Sequence, residues 1–137
     1  MLHLGGERMT QIWGHLTLIG DDFDLDYVTR ELGTVPMTQR KPDEILGNGK
    51  AFGHCEWGVE TERIDTCEIS VVADALMQLA PGAYSTMAEI AKKVGAQWHI
   101  LFRALLDDED EYPWIVLEPP FIRFAAEIGA GIGFDII

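Results

Sequence analysis

The segment Ile19–Pro36 constrains the fold most, because it holds the end of a strand, a complete short helix and the stop of that helix. Ahead of it, apolar and polar residues alternate over Thr10–Ile19, which predicts a first strand. Asp24 stands where an N-cap carboxylate accepts hydrogen bonds from the free amides of a helix over 25–32. Gly33 supplies the left-handed residue that ends such a helix. A strand followed by a short helix is therefore expected at the start of the domain.

The rest of the chain contains seven further predicted elements separated by turn residues. In chain order they are a strand over 52–62, helices over 69–79 and 86–94, strands over 97–106 and 114–117, a helix over 119–128 and a strand over 131–137. Asp65 and Glu68 have the spacing of a capping box ahead of the first of these helices. Two segments are expected to be loops, namely Met37–Lys50, which has no periodicity, and the acidic run Asp107–Glu111.

The resulting order, β-α-β-α-α-β-β-α-β, predicts one α+β domain over residues 1–137, with residues 1–8 as a loose lead-in. We expect a mixed or antiparallel sheet with the helices packed mainly on one face. Two split β-α-β halves would satisfy this order, which relates the expected fold to the ferredoxin-like arrangement. The sequence contains no repeat, no low-complexity tract and no linker that would divide the chain.

Composition restricts the class of protein. With 137 residues, of which 47% are hydrophobic and 24% charged, the chain is long enough to bury a core as a soluble globular domain. It has no apolar run near the roughly 20 residues that span a bilayer, and its N-terminus lacks the pattern of a secretory signal. The two cysteines, Cys55 and Cys67, lack a C-x-x-C spacing. We therefore expect reduced thiols and a cytoplasmic protein.

The net charge of −13 is the strongest deviation in composition. Phosphate binding needs clustered Lys and Arg, so this charge argues against nucleic acid as a partner. It argues equally against binding to an anionic membrane surface. Solubility alone explains such a charge, and a surface built for a basic protein partner is the alternative.

Several short motifs carry a family resemblance. They are Gly20-Asp21-Asp22-Phe23-Asp24, Thr29, Leu32-Gly33, Pro36, the basic pair Arg40-Lys41, Trp57 and the closing run Ile128-Gly129-Ala130-Gly131-Ile132-Gly133-Phe134-Asp135-Ile136. Together they resemble the bacterial domain-of-unknown-function family numbered 4279 over nearly the whole chain. The chain departs from the family pattern at Pro42, where a glycine is expected, and at Ile137, where an aromatic residue is expected. The resemblance implies a fold and supplies no catalytic or binding residue.

Polar residues on several predicted strands share the parity of one wetter sheet face. They are His15, His54, Glu56, Glu60, His99 and Arg103. If the strands are neighbours, these side chains form a patch able to bind a metal or a small anion. The alternative is that different registers separate them as ordinary half-exposed residues, because one sequence does not fix register. The ligand-binding candidates are His15, His54, Glu56, His99 and Arg103, and no catalytic or metal-ligating residue is assigned.

A second candidate site is the basic pair Arg40 and Lys41, which lies beside the glycine-rich run 47–50 in the predicted loop. A basic loop of this kind is suited to an anionic ligand. Its glycine spacing does not match that of a phosphate-binding loop. We therefore consider it an anion-binding loop without a nucleotide signature.

An apparent calcium motif has a simpler explanation. Asp22, Asp24 and Asp26 have the alternate spacing of calcium-loop carboxylates. Tyr27 and Gly33, however, stand where that loop requires glycine and glutamate. Helix capping accounts for the same acids, so no calcium site is expected.

Cysteine, tryptophan and the last aspartate are expected to have structural roles. Cys55 points away from His54 on a strand and is expected to be an inert core thiol. Each of four tryptophans lies in a different predicted strand: Trp13, Trp57, Trp98 and Trp114. Aromatic residues distributed in this way are expected to fill the layer between sheet and helices. Asp135 is expected to anchor the last strand; it points either outward to solvent or inward, where it would need Arg103 or a helix N-terminus as its partner.

Three classes of function fit these features. A non-enzymatic interaction module, immunity- or regulator-like, would use its acidic surface toward a basic protein. A small-molecule or metal-binding domain would use the polar patch on the open sheet face, as would an enzyme. We expect the interaction module first, with no cofactor, no nucleic acid and no membrane as partner, and homodimerisation stays open.

Overall fold

The computed structural model describes residues 9–107 and 112–137, in which six strands and four helices are present. The strands are β1 (Gln11–Gly20), β2 (Thr38–Arg40), β3 (Cys55–Glu60), β4 (Ile64–Asp65), β5 (Ala96–Leu105) and β6 (Gly131–Ile136). The helices are α1 (Leu25–Leu32), α2 (Ile69–Gln78), α3 (Tyr84–Val94) and α4 (Pro119–Ile128). The α+β class predicted from the sequence is confirmed.

All six strands form one mixed sheet with β1 at its centre. The order across the sheet is β2-β3-β1-β5-β6, and β4 pairs with the first residues of β1. β1 is antiparallel to both β3 and β5, whereas β5 and β6 are parallel. α1 contacts β3, α2 contacts β1 and α3 contacts β5, while α3 and α4 contact each other. The helices therefore form one layer on one sheet face, as predicted.

The sheet face under the helices carries the hydrophobic core. Its buried strand residues include Ile12, Leu16 and Leu18 of β1, Trp57 and Val59 of β3, and Trp98, Ile100 and Phe102 of β5. Gly14 belongs to the same face, and a Cβ atom there would lie 3.3 Å from Val72 Cγ1 and 3.4 Å from Leu76 Cδ2. α2 therefore packs closely against the backbone of β1. This arrangement leaves the odd-numbered residues of β1 on the second sheet face.

The predicted capping of α1 is confirmed. The Asp24 Oδ1 atom accepts hydrogen bonds from the backbone N–H groups of Asp26 at 3.0 Å and Tyr27 at 3.2 Å. Gly33, with φ of 67°, ends the helix. The aspartates that have calcium-loop spacing therefore begin a helix, because a free carboxylate oxygen satisfies amides that have no partner within the helix.

Two strands, β2 and β4, lie where the sequence predicted none, and one predicted strand is absent. β2 lies within Met37–Lys50, which was expected to be a loop, and its Arg40 stands opposite Glu56 of β3. Pairing with β3, and not a local hydrophobic pattern, makes this segment a strand. Residues 114–117 are not a strand, and an isolated bridge joins Trp114 to Glu68. That segment has no buried face on which alternation could act.

Smaller features also differ from the prediction. The capping box is wrong, because Asp65 lies in β4 and Glu68 makes no side-chain capping bond to α2. α3 begins at Tyr84 and not at residue 86. The halves are not split β-α-β units, since β1 is a direct neighbour of β3 and β5 of β6. Most of the predicted acidic loop, residues 108–111, lies outside the described residues.

Two of the four tryptophans fill the core layer as predicted. Trp57 and Trp98 are fully buried and meet edge to face, with ring centroids 6.1 Å apart. Trp98 Nε1 donates to the Met87 carbonyl oxygen at 2.8 Å, and Trp57 Nε1 donates to Thr29 Oγ1 at 3.0 Å. Both indoles therefore link the sheet to the helix layer through packing and a satisfied polar group.

For the other two tryptophans the prediction is wrong. Trp13 has the parity of the second sheet face, where the guanidinium carbons of Arg63 and Arg103 lie 4.1 Å and 5.7 Å from its ring centroid. Trp114 is 63% exposed. An aromatic residue on a predicted strand does not by itself show which sheet face it lies on. It also does not show that the segment is a strand.

Candidate functional site

The second face of the sheet forms a wide groove of about 740 Å³. None of the described residues that line this groove belongs to a helix. Polar and charged residues that line the groove are His15, Thr17, Thr38, Arg40, Glu56, His99 and Arg103. Their arrangement follows from the strand registers, which place specific residues side by side.

One row of residues crosses the sheet at the floor of the groove. It consists of Thr38, Gly58, Thr17, His99 and Gly131, one residue from each of β2, β3, β1, β5 and β6. We call this set the floor row. Neighbouring strands lie about 4.8 Å apart, so five strands give the row a length of roughly 19 Å. Most of its members are small, which leaves space above the sheet.

Two parallel rows flank the floor row. On one side lie Arg40, Glu56, Ile19 and Gln97, and on the other lie Glu60, His15, Leu101 and Gly133. Residues two apart along a strand are separated by roughly 6.7 Å, so both flanking rows are within side-chain reach of the floor. The groove therefore has a small-residue floor between two flanking rows whose members, apart from Gly133, are larger.

Glycines create much of this space. A Cβ atom on Gly58 would lie only 3.0 Å from both the Leu16 carbonyl oxygen and Thr17 Oγ1, and 3.1 Å from Thr38 Oγ1. The two threonine hydroxyls therefore converge above this glycine. At Gly131 and Gly133 a Cβ atom would meet its nearest neighbour at 3.8 Å and 3.5 Å, which are ordinary contact distances. β6 thus has room for side chains that the sequence does not supply.

Arg40 lies at the β2 edge of the groove. Its guanidinium carbon is 5.2 Å from the centroid of the Phe52 ring, which also lines the groove. None of the ion pairs of the described residues involves Arg40, although Glu56 stands directly across from it. Glu56 Oε1 instead lies 3.5 Å from His54 Nε2. Arg40 is therefore a cation packed on an aromatic ring, with no carboxylate partner among the described residues.

His15 is paired with Glu60 at the wall of the groove. His15 Nδ1 lies 3.1 Å from Glu60 Oε2, while His15 Nε2 is buried and has no hydrogen-bond partner among the described residues. Burial lowers the pKa of His15 below its ordinary 6.5, and it outweighs the opposing attraction of Glu60. Arg103 adds to the lowering of this pKa. A neutral ring that donates from Nδ1 to Glu60 leaves Nε2 as an unsatisfied acceptor.

The lowered pKa of His15 predicts a pH dependence of stability. As the pH falls through 6.5, the unfolded chain takes up a proton at this histidine before the folded protein does, so the free energy of unfolding decreases. We expect His15→Gln to flatten this decrease between about pH 7 and pH 5. Chemical denaturation at several pH values measures the slope. An NMR titration midpoint for His15 at or above 6.5 would contradict the interpretation.

Arg103 occupies the β5 side of the groove and is already paired. Its Nε donates to Asp135 Oδ2 at 3.2 Å, between directly opposed residues of β5 and β6. The partner expected for Asp135 is therefore present, on the open face and not inside the core. Because both side chains are well exposed, the pair orients Arg103 more than it stabilises the fold.

Comparison with known proteins identifies a family. The family model described as "Domain of unknown function (DUF4279)" matches residues 10–137. The chain belongs to this family. The match includes every helix and strand described above, which confirms the resemblance that the motifs indicated. No curated protein and no solved structure matches the chain.

The DUF4279 domain brings most of the predicted site residues together. His15, Glu56, His99 and Arg103 all line the groove. His54 does not line it, since it precedes β3 and its ring packs 4.1 Å from the Phe52 centroid. The common parity predicted for the first four was correct because β1, β3 and β5 are neighbours in the sheet.

The two residues of the basic pair have different environments, because only Arg40 belongs to β2. Arg40 ends β2 and faces the groove, whereas Lys41 Nζ donates to Asp22 Oδ1 at 3.1 Å and to the Phe23 carbonyl oxygen at 2.8 Å. The hydrogen bond to Asp22 raises the pKa of Lys41. Lys41 therefore fixes the turn before α1, and the two residues do not form one anion-binding loop.

Several groove residues were not predicted from the sequence. They are Thr17, Thr38, Phe52, Gly131 and Gly133. Threonine and glycine carry no chemical motif, so only the register of the sheet reveals that they meet. Phe52 is the first residue of the predicted strand over 52–62, but β3 begins only at Cys55, so strand alternation did not reveal that Phe52 packs on Arg40.

Three further features of the described residues in the DUF4279 domain concern a metal site, a reactive thiol and a membrane-spanning helix. Within residues 9–107 and 112–137, no group of three or more His, Cys, Asp or Glu side chains is placed to hold a metal ion. Cys55 is buried, its thiol lies 3.5 Å from the Phe23 carbonyl oxygen, and burial raises its pKa. None of the helices in the same ranges combines the length and apolar character that a membrane crossing requires.

Proposed function

We propose that this domain binds a small polar organic molecule in the groove of its open sheet face, without catalysing a reaction. The observation that carries this proposal is the groove itself, where threonine hydroxyls, two histidines and two arginines converge around a floor of small residues. Its volume of about 740 Å³ is within the range of roughly 300–1,000 Å³ that is typical of small-molecule sites.

Binding is favoured over catalysis by the state of the groove's polar groups. Among the described lining residues there is no serine, cysteine or lysine to act as a nucleophile. The histidine that a carboxylate orients, His15, has its second nitrogen buried and so out of reach of a substrate proton. The groove also holds arginine and threonine donors, which bind and orient ligands without titrating at neutral pH.

A panel of three six-carbon probes tests the proposal. Hexanoate, hexanamide and hexylammonium share one alkyl chain and differ in charge. We expect at least one of them to shift the amide NMR signals of the floor row, above all those of Gly58, His99 and Gly131. Shifts confined to residues of the helix layer, or no shifts at tens of millimolar probe, would contradict a ligand site in the groove.

A second candidate function is supported by the net charge of −13. It is a non-enzymatic interaction module, in a bacterial cytoplasm, whose acidic surface binds a basic protein. A partner held by this charge must dissociate as salt shortens the screening length from about 14 Å at 50 mM to about 4 Å at 500 mM. A protein partner whose affinity is unchanged over that range would exclude this candidate.

A further inference from the structure

We infer that the groove ligand is an organic monoanion, a carboxylate with an apolar body, and that Arg40 binds its charged group. This inference rests on the proposed ligand-binding function and adds the chemical class of the ligand. Three features of the described residues support it: the pairing state of the groove cations, the charge of the groove lining and the chemistry next to Arg40.

Of the two arginines that line the groove, Arg40 is the one without a carboxylate partner among the described residues. Arg103 is bonded to Asp135, and Lys41 to Asp22. Arg40 donates no side-chain hydrogen bond to any described residue and packs on Phe52 instead. The aromatic ring supports the guanidinium group, whose N–H donors have no partner among the described residues and can bind a carboxylate with two parallel hydrogen bonds.

The groove carries much less negative charge than the protein as a whole. Its lining holds Arg40, Arg103 and Glu56, while Glu60 and Asp135 contact the lining residues His15 and Arg103, so two positive and three negative charges lie at the groove. The chain as a whole carries −13. An anion is therefore repelled less by the groove than by the surrounding surface, and Arg40 is the unpaired positive group that it meets there.

The surroundings of Arg40 favour a single negative charge and an apolar body. Glu56 stands directly across from Arg40 and repels a dianion such as phosphate more strongly than a monoanion. Thr38, two residues from Arg40 on the same face, offers a hydroxyl beside the charged group. Further along the groove Ile19, Leu101 and Ile132 provide apolar contacts for the rest of the molecule.

The three-probe panel also measures this selectivity. We expect hexanoate to bind at least tenfold more tightly than hexanamide, since a charge-assisted pair with arginine is about twice as strong as a neutral hydrogen bond. Hexylammonium is expected to bind more weakly than either. Arg40→Gln should reduce hexanoate affinity about tenfold and leave hexanamide affinity unchanged. The matched control is Arg123→Gln, which removes the same charge from an exposed site on α4 and should change neither affinity.

Each outcome separates this inference from the function on which it rests. Equal binding of hexanoate and hexanamide in the groove would overturn the anion class and leave the ligand site standing. Hexanoate selectivity that survives in Arg40→Gln would overturn the role of Arg40. Inorganic phosphate should compete with hexanoate only weakly. If phosphate bound the groove more tightly than hexanoate does, the assignment of a monoanion would be overturned. Absence of binding by all three probes would overturn both proposals, and thermal unfolding of each variant checks that the fold is retained.

Discussion

Replacing Trp98 with alanine is expected to lower the free energy of unfolding by about 3–5 kcal/mol, the range for a large aromatic side chain removed from a core. Trp98 is fully buried on β5, packs edge to face on Trp57 and donates to the Met87 carbonyl oxygen of α3. The variant therefore loses apolar burial, an aromatic contact and the link from sheet to helix layer together. Urea denaturation followed by tryptophan fluorescence and circular dichroism measures the change.

Two milder variants measure the contribution of the indole hydrogen bonds, one at Trp98 and one at Trp57. Trp98→Phe keeps most of the apolar volume and removes the indole N–H, so we expect a smaller loss of about 1–2 kcal/mol. Thr29→Val removes the acceptor of the Trp57 indole at nearly constant volume and should cost about 1–3 kcal/mol, because a largely buried donor is left without a partner. If Trp98→Ala cost less than Trp98→Phe, the core role assigned to the indole would be wrong.

Gly133→Leu is expected to retain the fold and to reduce hexanoate binding by at least tenfold. A Cβ atom at position 133 meets Leu101 Cδ1 at 3.5 Å, and the glycine does not have a positive φ, so the strand can accept a side chain. The leucine side chain would then project from β6 over the floor row and occupy the groove. Removing glycine from a strand does not weaken the strand itself, because glycine has the higher entropic cost of folding.

The matched control is Gly47→Leu, which adds the same side chain at an exposed loop position with open space around it. This variant should bind hexanoate as the unmodified protein does. Isothermal titration calorimetry gives both affinities, and thermal unfolding shows whether Gly133→Leu is folded. Full binding by a folded Gly133→Leu would place the ligand outside the groove.

Local signals in the sequence predicted local structure well. The helix α1 was predicted correctly because Asp24 and Gly33 act on their own neighbours through hydrogen bonding and backbone conformation. β1 and β3 were predicted because one buried face imposes a period of two. β2 was missed because its three residues are a strand only through pairing with β3, a contact that no local pattern encodes.

The candidate site depended on non-local information. His15, His99 and Arg103 were placed on one face by parity, but their proximity depends on the register between β1 and β5. Arg40 and Lys41 are adjacent in sequence and were therefore predicted to form one site. Only Arg40 lines the groove, whereas Lys41 bonds to Asp22. Glycines of β6 define the space of the groove, yet a glycine gives no sign in the sequence of what lies above it.

The most direct test of a ligand site on the open sheet face is the set of intermolecular nuclear Overhauser effects between bound hexanoate and the protein. The groove site predicts contacts from the alkyl protons to the His99 ring and to the amides of Gly131 and Gly133 on β6, next to Leu101. Contacts found instead with exposed residues of the helix layer, such as Ile122 on α4, would contradict the site.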